Sequence, residues 1–245
     1  MPIPLSVTEI TSLSDVLKAL IIISPSFRQG SNPWCIACLL YTSSKAIEYI
    51  DPKKAIVLQP CYSEYIRTIK NNGGTSVSFY LQDNRNFEID IDKLYLSLQD
   101  DIDMLILCNP NNPTSTVIEN NQLKTIIKTC YENNVILLVD ETYIEFTDNP
   151  EELSAIRFCE EYDNLIVIRS TSKFFASPGL RLGYMITSNS EINYKFDDKS
   201  DPWSIGSLTE LAGRAVSYTH LDVYKRQDII FLKSLKKGLI VLKVP

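Results

Sequence analysis

The chain has 245 residues, room for one large domain or two small ones. Apolar residues make up 44% and charged residues 22%, the balance of a globular protein with a buried core. A net charge of -6 excludes the basic surface that a nucleic-acid partner requires.

Along the chain, the apolar run Leu17 to Ser24 comes first. It is shorter than the roughly 20 residues a membrane helix needs. It also lacks a basic leading segment and a cleavage site, so neither a membrane anchor nor a signal peptide is expected. The cytoplasm is the expected compartment, with the six cysteines reduced. Cys35 and Cys38 have two residues between them, but no second pair or histidine cluster accompanies them, and no metal is expected.

From Ala55 onward strands and helices alternate. Ala55 to Leu58 is a short apolar strand. Ser63 to Asn71 is helical and ends at Asn72, Gly73 and Gly74. Ser76 to Leu81 alternates as a strand, and Ile91 to Leu98 is a short helix. Met104 to Cys108 is an apolar strand that stops at the turn residues Asn109 to Pro113. Asn120 to Glu132 has helical spacing through Leu123, Ile126, Ile127 and Cys130. Val135 to Val139 is a continuous apolar strand, Leu153 to Tyr162 a helix, and Leu165 to Ile168 and Leu182 to Ile186 two more strands. Short apolar strands between helices predict a largely parallel sheet covered on both faces. Ligands of such sheets sit beyond the carboxyl ends of the strands.

The informative polar residues fall at those ends. Asp140 closes the run VILLV, and burial there disfavours its charge unless a cation pairs with it. A protonated pyridine nitrogen is such a cation; a turn-capping Asp is the plainer alternative. Lys173 lies in RSTSKFFASPGLRLGY, just past a strand. An amine there can form a Schiff base with an aldehyde, or be an ordinary solvated loop lysine. Ser170, three residues earlier, and Arg181, eight later, can grip one phosphate, because the guanidinium fork matches phosphate oxygens. Asn112, in CNPNNPT, can donate to a phenolic oxygen or simply form an Asn-Pro turn. Tyr143, in DETYIEF, can reach the same oxygen, and Tyr62, in QPCYSEY, can stack on a pyridine ring. Both are otherwise core aromatics.

Together NPNNPT, DETYIEF and STSKFFASPGLRLGY resemble the class I/II aminotransferases, pyridoxal-phosphate (PLP) enzymes of fold type I, over about Ser44 to Ala215. The resemblance implies an α/β large domain with a mainly parallel sheet that binds PLP. It implies Lys173 as the Schiff-base lysine, Asp140 on the pyridinium nitrogen, and Asn112 with Tyr143 on the phenolic oxygen. It further implies Ser170 and Arg181 on the phosphate and Tyr62 stacked on the ring. Lys173, Asp140 and Tyr143 are then the catalytic set. KFFASPGLRLGY is most similar to the branch holding histidinol-phosphate aminotransferase and threonine-phosphate decarboxylase. Transamination of an amino acid or amino-acid phosphate is the first expectation and threonine-phosphate decarboxylation the alternative. A non-catalytic PLP-binding module or an inactive fragment ranks behind them. A small-molecule substrate and a homodimer are also implied.

The chain departs from that family pattern in several places. Ser115 stands where a glycine usually follows NPT. CLLYTS (residues 38–43) replaces a glycine-containing phosphate loop. After Ala215 the small C-terminal domain is expected to be missing, the only arginine there being Arg226. Residues 216–227, VSYTHLDVYKRQ, can be encoded by a self-complementary string that resembles two head-to-head transposase ends of a sequencing adapter. They are set aside as a scar. They hold His220, the chain's one histidine. Residues 38–43 match the same adapter in another frame, with a genuine loop or edge strand as the alternative. The expected organisation is therefore an unassigned piece at 1–43, the PLP-binding domain at 44–215, the adapter-like stretch at 216–227, and an unassigned tail at 228–245 with the pattern of a short helix.

Overall fold

The computed structural model describes residues 35–38, 42–98, 101–170, most of 172–199, residue 209, and residues 231–235 and 238–242. Seven strands form one sheet: β1 (Cys35–Cys38), β2 (Lys54–Gln59), β3 (Thr75–Tyr80), β4 (Met104–Cys108), β5 (Ile136–Asp140), β6 (Leu165–Ser170) and β7 (Gly183–Thr187). Their order is β1-β7-β6-β5-β4-β2-β3. From β3 through β2, β4 and β5 to β6 all pairings are parallel. β7 is antiparallel to β6, and β1 is antiparallel to β7. Among the described residues six α-helices accompany the sheet: α1 (Thr42–Ile50), α2 (Glu64–Asn71), α3 (Ile91–Ser97), α4 (Asn120–Glu132), α5 (Pro150–Leu153) and α6 (Ser190–Lys199). Among the described residues no helix is long and apolar enough to cross a membrane.

Because successive strand residues point to opposite faces, each apolar strand supplies two cores. Leu105, Leu107, Leu137, Val139, Leu165 and Val167 meet α3 and α4 through Leu94, Leu123, Ile126 and Ile127. Met104, Ile106, Leu138, Ile166 and Ile168 meet α1, α2 and α6 through Ile47, Tyr65, Ile69 and Phe196. This double burial is why the strands read as unbroken apolar runs. The α2 terminus also follows its sequence: Gly73 takes a φ of 81° and the Gly74 amide returns to the Ile69 carbonyl at 2.9 Å. A Cβ on Gly74 would collide with the Pro52 carbonyl oxygen.

Most expected elements agree with the observed ones to within two residues. The helix expected at Leu153 to Tyr162 does not form. Instead α5 stops at Leu153, and a single 3-10 turn spans Ala155–Phe158. The cause is Glu141, a buried residue 1% exposed. Its carboxylate accepts from the Ala155 amide at 2.5 Å and from the Ser154 hydroxyl at 2.9 Å. Those bonds hold Ser154 extended, at φ -71° and ψ 136°, where a helix would need it coiled. The tail also differs from the expected helix: β8 (Phe231–Leu235) and β9 (Gly238–Leu242) pair as an antiparallel ribbon. β1, α1 and α6 were not anticipated from the sequence. Residues 1–34 and 216–227 lie outside the described residues.

Glu141 is held in turn by Arg169, whose Nη2 lies 2.8 Å and Nε 2.9 Å from Glu141 Oε2. Arg169 also reaches Glu145 at 3.0 Å and the Ser154 hydroxyl at 2.8 Å. Its side chain is 3% exposed. Arg169→Met leaves Glu141 as an unpaired buried charge and is expected to cost about 3–5 kcal/mol in urea unfolding. Lys128→Met, which removes an exposed pair with Glu132, is expected to cost less than about 0.5 kcal/mol.

Candidate active site

Four parallel strands end along one edge of the sheet. β2 leads into Pro60 to Tyr62, β4 into NPNNPT, β5 into Glu141 to Tyr143, and β6 toward Ser172 and Lys173. The register aligns these ends, with Cys108 opposite Asp140 and Asp140 opposite Ile168. Alternation then assigns the faces. Asp140 shares the face of Leu138, toward α2, while its neighbours Val139 and Glu141 turn the other way. Cys108 and Ser170 fall on the Asp140 face by the same count, and Arg169 falls opposite.

Asp140 is buried more deeply than the sequence suggested, at 5% exposure. Its Oδ2 accepts the Tyr65 hydroxyl at 2.7 Å. Its Oδ1 accepts the Thr142 amide at 2.9 Å and the Thr142 hydroxyl at 2.5 Å. Burial pushes the carboxyl above its ordinary value, and these donors oppose the rise without cancelling it. Among the described residues no lysine or arginine pairs with Asp140.

The other expected residues surround it unevenly. Tyr62 is 45% exposed and meets the Tyr65 ring edge-on at 5.6 Å. Asn112 is half-buried in the turn after β4. That turn is tied to the β2 loop by Asn111 Nδ2, which donates to the Pro60 carbonyl at 3.2 Å and to Thr114 Oγ1 at 2.8 Å. Tyr143 is half-buried, and its phenol is raised by burial and then by Cys108, Asp140 and Tyr62 nearby. Phe146 bridges Tyr143, at 6.2 Å between rings, to Phe174, at 5.6 Å, so the β5 loop packs on the residue after Lys173. Lys173 itself is exposed. Ser170 Oγ lies 2.7 Å from Ser172 Oγ and accepts the Ser172 amide at 3.2 Å. Arg181 lies outside the described residues. Tyr65 thus joins Asp140 to Tyr62, and Tyr143 lies near both of these, while Ser170 and Lys173 occupy the adjacent strand end without bonding to Asp140.

Three residues escaped the sequence reading. Tyr65 was overlooked beside Tyr62, although its spacing of four from Ile69 marks the buried face of α2. Thr142 and Ser172 stand beside residues that were singled out. A cleft of about 740 Å³ opens next to the site and shares Asn112 and Tyr143 with it, together with Phe146, Asp148 and Glu152.

A mainly parallel sheet with this polar edge is the large-domain architecture of the fold-type-I PLP enzymes. Residues 38–239 match the family described as aminotransferase class I and II, and the chain belongs to that family. The matched span includes residues 216–227. Threonine-phosphate decarboxylase of Salmonella typhimurium is 33% identical over 164 residues, covering 67% of this chain and 44% of that protein. The crystal structure of the histidinol-phosphate aminotransferase from Clostridium acetobutylicum superposes with a TM-score of 0.70 at 29% identity, covering 92% of this chain and 66% of that one. A PLP-bound C-S lyase from Staphylococcus hominis shares the fold, with a TM-score of 0.70 at 21% identity over 82% of this chain and 54% of that one. The chain spans about half the length of the curated relatives it matches.

In the turn after β4, Ser115 adopts a φ of 60°. The turn still closes, with the Ser115 amide on the Asn111 carbonyl at 2.7 Å, so a serine has taken a conformation that suits glycine. Ser115→Gly is expected to leave stability unchanged or raise it by up to about 1 kcal/mol, and Ser115→Val to lower it by more than about 1 kcal/mol, by urea unfolding.

Asp140 generates a pH dependence. Its raised folded value means that the cofactor-free native state holds a proton which the unfolded chain releases at about 3.8. Its contribution to stability is therefore present below 3.8 and lost as pH rises through the raised value. Asp140→Asn is expected to remove that loss, so the cofactor-free variant gains stability over wild type as pH climbs from 3.8 to neutrality. Urea midpoints of the two proteins across that range check the sign.

Proposed function

We propose that the chain is the cofactor-binding part of a PLP-dependent enzyme that transaminates an amino acid or amino-acid phosphate. The observation that carries this reading is Asp140: a buried carboxylate whose donors among the described residues are all neutral, at the carboxyl edge of the sheet, in a family of aminotransferases. A protonated ring nitrogen supplies the cation that this carboxylate lacks. The rest of the site fits the same group. The Ser170 hydroxyl, with Ser172 beside it and Arg181, would hold the phosphate. Asn112 and the protonated phenol of Tyr143 would donate to the phenolic oxygen. Tyr62, exposed at the mouth, would cover the ring face. Lys173 would hold the cofactor covalently through Nζ.

When bound, PLP supplies an electron sink for a bond breaking at the substrate Cα. The chain's own residues direct that capacity. Asp140 keeps the proton on the ring nitrogen. Lys173, once its amine is free, would be the base that takes the proton from the substrate Cα, the proton transfer that transamination requires. If the carboxylate bond breaks instead, Lys173 returns a proton to Cα, which is decarboxylation. The second reading, a threonine-phosphate decarboxylase, is supported by the match to the Salmonella typhimurium protein and by KFF after the loop serines. We place the enzyme in the cytoplasm, acting on a small molecule, as a homodimer.

Borohydride treatment after incubation with PLP is expected to attach the cofactor to the Lys173 peptide and to no other. A Lys173→Ala variant that still retains covalent cofactor would overturn the assignment. A 2-oxo acid product identifies transamination, and carbon dioxide identifies decarboxylation.

A further inference from the structure

We propose that Tyr65 is a positioning residue for Asp140: its hydroxyl fixes the carboxylate and keeps it ionised to face a protonated ring nitrogen. The second half of that statement rests on the PLP reading above; the first half rests on geometry alone.

Packing does not account for the hydroxyl. Tyr65 is 1% exposed and sits with Ile69 on the apolar face of α2, where a phenylalanine would fill the same core. A buried phenol needs a partner, and its partner is Asp140 Oδ2 at 2.7 Å, reached from a helix 75 residues earlier in the chain. The two carboxylate oxygens are served differently. Thr142 occupies Oδ1 with two donors from the same turn. Among the described residues Oδ2 has the Tyr65 hydroxyl alone, with acceptor capacity for one more donor.

The surroundings offer no substitute. The titratable groups facing Asp140 are Tyr65 from α2, Cys108 from β4 and Tyr143 from the β5 loop. Burial raises all three, so each is neutral at working pH and none brings a positive charge. The Cys108 thiol is already directed to the Pro110 carbonyl at 3.1 Å. Tyr65 is therefore the one long-range donor, among the described residues, that favours the charged carboxylate. Tyr62 packs edge-on against the Tyr65 ring, so the residue expected over the cofactor ring touches the residue that holds Asp140.

The test is a carbon-13 NMR titration of aspartate carboxyls in the cofactor-free full chain, with Asp140 assigned from Asp140→Asn. Tyr65→Phe is expected to raise the Asp140 midpoint by about one to two pH units, the worth of a hydrogen bond to a charged acceptor. Site-specific replacement of Tyr65 by 3,5-difluorotyrosine, a stronger donor of the same shape, is expected to lower the midpoint. It keeps the test decisive if Tyr65→Phe fails to fold. Added PLP is expected to bind Tyr65→Phe at least tenfold more weakly, with altered pH dependence of its visible absorption. An unmoved midpoint in both variants overturns the positioning role. A shifted midpoint with unchanged PLP affinity and spectrum overturns its service to the cofactor. If wild type shows no PLP binding while the midpoint still shifts, the PLP reading falls and the Tyr65–Asp140 coupling stands.

Discussion

Arg169, sealed between Glu141 and Glu145, is the constraint on which the site depends. A guanidinium this deep is tolerable only when acidic partners and acceptors meet it, as Glu141, Glu145 and Ser154 do. The pairing joins two adjacent strand ends, because Glu141 follows Asp140 and Arg169 precedes Ser170. Since neighbours along a strand face opposite ways, locking Glu141 to Arg169 on one side of the sheet sets Asp140 and Ser170 on the other. The ion pair lies behind the chemistry yet determines which residues reach it. Its third partner, Ser154, draws in the segment after α5 at the expense of a local helix.

The readable parts of the sequence were those where one local rule dominates. The strands were legible because burial on both faces leaves unbroken apolar runs, and Asp140 was legible as the polar residue that ends one. The end of α2 was legible because Gly73 and Gly74 satisfy steric demands nothing else meets. Failures arose where tertiary contacts override local preference. Leu153 to Tyr162 has helical spacing, but Glu141, distant from it in the fold's logic, captures its backbone. Tyr65 and Tyr62 look alike in sequence, and only α2's orientation against β5 shows that one supports Asp140 while the other faces outward. The tail's Lys-rich apolar pattern suits either a helix or a ribbon, and pairing between its own two halves selected the ribbon.

Transamination and decarboxylation need the same grip on one cofactor, and differ in which bond at Cα lies along the reacting direction. That choice belongs to residues that grip the substrate, whereas the residues proposed above at the strand ends are ones that would hold the cofactor. The relatives reflect the same division, since proteins named for either reaction each match two thirds or more of this chain.

Asp140 has a consequence for how long the protein lasts. Among the described residues no counter-charge meets this buried carboxylate, which is a standing deficit in the native state, and a ligand that brings a positive charge to it removes that deficit. Mass action then makes folding strength a function of ligand concentration, rising by about 1.4 kcal/mol for each tenfold excess over the dissociation constant. On the PLP reading, a cell short of vitamin-derived cofactor would hold more of this chain in its open, protease-sensitive form. Supply of the small molecule would thereby set the abundance of the protein as well as its activity.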